Sequence, residues 1–163
     1  MQYRIEHLPE TLLAGTKQKM SFLHNQTAEL WRSFMPRRGL ITGAVGTELY
    51  SVEVYDGVDF FTQFNPAREF EKWAAVRVAG NGALPEGMES LALPAGRYAV
   101  FTYKGKPADA GDTYRYIYGE WMAQSAFRLD DRPHFALMGE KYKGDSPGSE
   151  EELWIPITDK DGL

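Results

Sequence analysis

Glu150-Glu151-Glu152-Leu153-Trp154-Ile155-Pro156-Ile157, close to the C-terminus, alternates as a β-strand does. Successive strand side chains point to opposite sides, so Leu153, Ile155 and Ile157 share one face and Glu152, Trp154 and Pro156 the other. The aliphatic face is a core face. The other sets a carboxylate, an indole and a proline in a row, and it has two readings. Solvated, it makes Glu152 an ordinary surface residue in an acidic run. Turned to a cavity, an acid beside an aromatic wall suits an aromatic or cationic small molecule.

Working outward, this strand closes the second of two halves with the same element order. Gly96 to Lys104 alternates as a strand, and Asp109 to Ser125 carries Tyr114, Ile117-Tyr118 and Trp121-Met122 at helical spacing, with Asp109 or Asp112 suited to its N-terminus. Pro133 to Lys141 and Glu151 to Ile157 follow as strands. In the first half, Thr11 to Met20 reads as a strand, Thr27 to Met35 as a helix stopped by Pro36, and Glu48 to Tyr55 and Glu71 to Ala79 as strands. Tyr3 to Leu8 and Met88 to Leu93 are candidate edge strands. The turn-rich stretch Gly80-Asn81-Gly82-Ala83-Leu84-Pro85-Glu86-Gly87 divides the halves, about 1–80 and 88–163. Strand–helix–strand–strand, twice, predicts an α+β fold of tandem duplicated units: antiparallel sheet with two main helices. The repeat is one of element order, not of letters.

Length and composition bound the rest. At 163 residues the chain is read as one domain, and 43% hydrophobic with 25% charged residues is ordinary for a globular protein. A formal charge of −5 argues against nucleic acid as a partner of this chain alone. The absence of Cys removes disulfides, zinc–thiolate sites and thiol catalysis. With no apolar leader and no run of membrane-spanning length, the expectation is a cytoplasmic protein without a membrane partner. His7, His24 and His134 lack the pairing of metal ligands, and no nucleotide or nucleophile-elbow fingerprint occurs, so neither metal nor cofactor is expected. Gly39, Gly43 and Gly46 have the wrong spacing for a phosphate loop.

Four segments then occur in a telling order: Leu93-Pro94-Ala95-Gly96-Arg97-Tyr98-Ala99-Val100-Phe101, Tyr116-Ile117-Tyr118-Gly119-Glu120-Trp121, Asp131-Arg132-Pro133-His134-Phe135, and Glu152 to Ile157. With Phe70-Glu71-Lys72-Trp73-Ala74-Ala75, they make the chain resemble the GyrI-like small-molecule-binding domain, which also serves as the effector-binding domain of AraC-type and MerR-type regulators. The resemblance implies pseudo-twofold strand–helix–strand–strand units around a central ligand cleft. It also implies an acidic residue at the cleft centre, at the position of Glu152 and not of Glu150 or Glu151. Regulators of the family carry a helix-turn-helix ahead of this module; here the module fills the chain, so a stand-alone form is expected.

The expected ligand-binding set is Glu152 as charged anchor, Trp154 and Tyr98 as aromatic walls, Glu53 opposing them from the first half, and Tyr118 from the second helix. Core packing rivals each aromatic in this set, and Tyr114, Trp121, Trp31 and Trp73 read as core. Phe60-Phe61 is either a lid or a loop hydrophobe tucked under the fold. The leading function is binding of aromatic or amphipathic, cationic compounds for sensing or sequestration. The resemblance also implies an enzymatic alternative, hydrolysis of strained cyclopropane-bearing alkylating toxins, with Glu152 as the catalytic carboxylate. A gyrase-inhibitor-like interaction is a second alternative, and a homodimer stays open.

Overall fold

The computed structural model describes residues 1–80 and 82–161; Asn81 of the expected linker and Gly162 and Leu163 lie outside the described residues. The elements are β1 (Tyr3–Leu8), β2 (Thr11–Met20), α1 (Thr27–Phe34), β3 (Leu49–Val54), β4 (Phe70–Arg77), β5 (Glu89–Leu93), β6 (Gly96–Lys104), α2 (Gly111–Arg115), α3 (Met122–Gln124), β7 (Phe127–Leu129), β8 (His134–Met138) and β9 (Glu150–Asp159). Between α2 and α3 the backbone runs as a π-helical stretch, Tyr116–Trp121, and the junction residues keep right-handed helical angles. The expected single helix over Asp109–Ser125 is therefore one rod with a widened middle. Pro36 does not end the first helical run outright. It opens a 3-10 turn, Met35–Leu40, where its missing N–H costs nothing.

All paired strands are antiparallel, in the order β1-β6-β9-β8-β3-β4-β2-β5, with β7 pairing β9 beyond β8. Exchanging β1 with β5, β6 with β2, β9 with β4 and β8 with β3 gives the same order backwards, so the duplication is a pseudo-twofold built into one sheet. Its axis passes through the central β3–β8 pair, where Ser51 faces Ala136. Two letter-level traces of the repeat accompany it: Leu8-Pro9 and Leu93-Pro94, and Glu71-Lys72-Trp73 and Glu152-Leu153-Trp154.

The links Pro9-Glu10 and Pro94-Ala95 join strands from opposite ends of the strand order, β1 to β2 and β5 to β6. Two-residue links cannot span a flat sheet of this width, at about 4.8 Å per strand, so the sheet curls. Curling closes the face that carries no helix. There Leu13, Val52, Trp73, Leu93, Tyr98, Val100, Phe135 and Trp154 pack into one cluster drawn from both halves. The opposite face is covered in two patches: α1 over Ala14, Phe70, Ala74 and Val76, and the second helix over Phe101, Ala136, Leu153, Ile155 and Ile157. β2 approaches β4 closely at Gly15, where a Cβ would run into the Ala74 carbonyl oxygen.

Candidate functional site

The two helix patches leave the middle of the sheet between them, and strand parity decides which side chains stand there. In the central row, Ala74, Ser51 and Ala136 are in register across β4, β3 and β8. Their side chains are small, and all three are buried. Thr16 lies in register beside Ala74, and its buried Oγ1 has no partner among the described residues.

Charged and aromatic groups ring this floor. Glu53 lies two residues beyond Ser51 on the same face, and Lys72 is its register partner on β4. Lys72 Nζ stands 3.0 Å from Glu53 Oε2, with the two side chains 12% and 10% exposed. Burial raises the Glu53 carboxyl above its ordinary range, and Lys72 works against that rise. Glu151 has the parity of Leu153 and so faces the helices. Burial first, and the neighbouring Glu53 second, push it up to about 7, against the pull of Lys72. His134, opposite Glu53 on β8, is buried, and burial holds its imidazole down at about 3, with Arg132 adding to the effect. It is neutral at neutral pH. Its Nδ1 shares a 2.7 Å hydrogen bond with the Tyr118 hydroxyl, which donates in the tautomer protonated at Nε2.

Aromatic rings close the top. The π-helical stretch carries Tyr118, whose ring lies parallel to that of Tyr114 one turn earlier, centroids 6.2 Å apart. Phe61, from the loop after β3, stacks on the other side of Tyr118 at 3.9 Å and 7°. Tyr55 stands edge-on to His134 at 4.9 Å. Burial, followed by the Glu53 charge, pushes the Tyr55, Tyr114 and Tyr118 phenols well above their usual range, so all three stay hydrogen-bond donors. Of the pair Phe60-Phe61, Phe60 is buried under the fold, and Phe61 packs on Tyr118. A groove of about 590 Å³ outside, bounded by Asp56, Glu69 and Glu71, shares Tyr55 with this interior cluster.

Of the expected set, the structure brings Glu53 and Tyr118 to this cleft. Glu152, Trp154 and Tyr98 lie on the helix-free face, and their polar groups are engaged there. Arg4 Nη2 donates to Glu152 Oε2 at 2.9 Å, and Trp154 Nε1 donates to Glu152 Oε1 at 3.1 Å. Tyr98 is fully buried, and its hydroxyl donates to the Pro133 carbonyl at 2.9 Å. The same device recurs in the first half, where Trp73 Nε1 donates to Glu71. The acid that β9 sends toward the helices is Glu151, one residue earlier, because the face lined by Leu153 and Ile155 is the one the helices cover. Tyr114, which reads as core from sequence, lines the cleft with Tyr118. Lys72, His134 and Phe61 were legible only as a lysine and a histidine on apolar strand stripes and a loop aromatic. Among the described residues, no group of three or more His, Asp or Glu could hold a metal ion, and no helix is long and apolar enough to cross a membrane.

The family profile of the GyrI-like small molecule binding domain matches residues 1–158. The chain belongs to the GyrI-like family. Among curated proteins it is 28% identical over 158 residues to the transcriptional regulator BrlR of Pseudomonas aeruginosa, covering 96% of this chain and 56% of that one. The GyrI-like chain thus spans little more than half of that relative. Among solved structures, SAV2435 bound to tetraphenylphosphonium superposes with a TM-score of 0.69 at 18% identity, covering 97% of this chain and 94% of that one. A hydrolase encoded by lin2189 from Listeria innocua superposes with a TM-score of 0.61 at 10% identity, covering 96% and 92%. At these identities the structural likeness is one of fold.

Proposed function

We propose that this GyrI-like domain binds aromatic organic cations in the cleft between its helices, for sensing or sequestration. The observation that carries the reading is a half-buried carboxyl, Glu151, on the helix face of β9, within electrostatic reach of Glu53, Lys72 and Tyr114, with Tyr118, Tyr55 and Phe61 grouped around Glu53 and His134. A carboxylate out of water attracts a lipophilic cation strongly, and the faces of aromatic rings add cation–π attraction. Phe61 occupies the place a ligand ring would take against Tyr118, so binding exchanges one stack for another and swings the loop aside. The tetraphenylphosphonium complex of a protein with this fold supports the ligand class. Calorimetric titration with tetraphenylphosphonium and the neutral triphenylphosphine oxide tests it. Glu151→Gln should weaken the cation by about ten- to a hundredfold, the worth of a charged interaction of about 1.5–3 kcal/mol, and leave the neutral compound nearly unchanged. Equal losses for both, or none for either, would remove Glu151 as the anchor.

A second reading, hydrolysis of a strained cyclopropane-bearing alkylator, is favoured by the position of the Glu151 carboxyl at about 7. Such a group can take a proton from water near neutral pH while the water oxygen bonds to a ring carbon. The ring electrons would move onto a conjugated carbonyl, polarised by the Tyr118 hydroxyl in the tautomer in which His134 Nδ1 carries the proton and Tyr118 accepts from it. Chromatographic turnover above the buffer rate, lost in Glu151→Gln, would establish it. Absence of turnover leaves binding alone.

A further inference from the structure

Lys72 is out of place on its strand. Along the helix face of β4 its neighbours are Phe70, Ala74 and Val76, all buried and apolar. A lysine there costs desolvation that a hydrophobic residue would avoid, and a buried ion pair seldom recovers the difference. Its ammonium is nonetheless held 3.0 Å from Glu53, inside the same ring of groups as Glu151.

We propose that Lys72 sets the charge class of ligand this cleft accepts: it acts as a tethered cation that neutralises Glu53, leaves Glu151 as the one carboxylate for the ligand, and restricts the site to monocations. The inference rests on the binding reading above and deepens it. Glu53, Glu151 and Lys72 carry the charge; Arg132, which bears on His134, is paired with Asp130 at 2.7 Å, His134 is neutral, and the phenols of Tyr55, Tyr114 and Tyr118 keep their protons. With Glu151 ionised the sum is one negative charge. A singly charged ligand cancels it. A dication would leave an uncompensated positive charge out of water, and a neutral ligand an uncompensated carboxylate unless Glu151 holds its proton.

The test is calorimetry with three probes, tetraphenylphosphonium, the dication methyl viologen and triphenylphosphine oxide, on the full chain and four variants. Lys72→Gln exposes a second carboxyl, which gives up its proton as a dication binds, so the affinity ratio of methyl viologen to tetraphenylphosphonium should rise about tenfold or more, equivalent to about 1.4 kcal/mol. Glu53→Gln leaves Lys72 to neutralise Glu151, so tetraphenylphosphonium should weaken by at least about tenfold while triphenylphosphine oxide holds or gains. Glu53→Gln combined with Lys72→Gln restores the original charge sum and should restore the original ratio. Lys17→Gln changes net charge equally but removes a cation paired with Glu89 on the helix-free face, so it should leave the ratio unchanged.

A merely structural ion pair predicts something else: Lys72→Gln and Glu53→Gln would weaken all three probes alike, and that result overturns the proposal. An unchanged ratio in Lys72→Gln, with tetraphenylphosphonium still bound by the original chain, also overturns it and leaves the binding reading standing. Failure of every variant and of the original chain to bind either cation overturns both. If Lys72→Gln does not fold, Glu53→Gln decides alone: loss of the cation with the neutral probe retained supports the proposal, and any other pattern defeats it.

Discussion

One residue of parity separates Glu151 from Glu152, and their environments differ accordingly. Glu152 keeps a guanidinium and an indole as partners at a half-exposed rim. Glu151 is pressed from several elements at once: Glu53 from β3, Lys72 from β4, and the phenols of Tyr103, Tyr114 and Tyr142, all of which its charge touches. A carboxyl raised from 4.5 to about 7 holds its proton longer in the folded chain than in the unfolded one. Folding stability then falls as pH rises from about 4.5 to 7 and levels off above, by up to about 3 kcal/mol. His134, lowered to about 3, acts in the opposite sense, removing stability as pH falls below 6.5. The two windows overlap, so the variant difference is the readout. Urea melts of Glu151→Gln should match the original chain near pH 5 and exceed it in stability near pH 8. A difference that is constant with pH would deny the shift. The faces on which Glu53 and Tyr118 stand were legible from strand parity and helical spacing. Glu151 was not, because alternation tells two faces apart without saying which the helices cover, and both faces of β9 are packed.

At the scale of elements, the π-helical stretch and the curled sheet are what sequence could not supply. Helical spacing placed Tyr114, Ile117, Tyr118 and Trp121 on a helix, but a widened turn depends on what the helix packs against. Strand existence followed from alternation, whereas strand order follows from which hydrophobic faces meet in space. The traces of repetition, Leu8-Pro9 with Leu93-Pro94 and the two Glu-x-Trp triplets, are too short to stand out from chance until the topology aligns them. The curl makes its own demand at Gly15. Gly15→Val should drive a side chain into the Ala74 carbonyl and destabilise the chain by about 1–3 kcal/mol, as overpacking does. Gly39→Ala, at a position with nothing within 4 Å of a Cβ, should be close to neutral. Chemical denaturation of the pair checks this, and equal effects would contradict the close approach.

Over the whole molecule, each half has a helix-covered patch of its own, but the two share the central β3–β8 pair and one helix-free cluster built from both. Calorimetric unfolding should show one cooperative transition, moved upward by tetraphenylphosphonium, with about 2.7 kcal/mol gained at a hundredfold excess over Kd. Two separate transitions would deny the shared core. The same pseudo-twofold leaves its axis under the middle of the sheet and brings one carboxyl from each half near it, Glu53 and Glu151. The most direct test of that account is a crystal structure of the chain with tetraphenylphosphonium bound. The account predicts the cation between the helices, against Glu151 and the Tyr114–Tyr118 stack, with Phe61 displaced from Tyr118. A cation seated instead on the helix-free face, against Glu152, Trp154 and Tyr98, would contradict it.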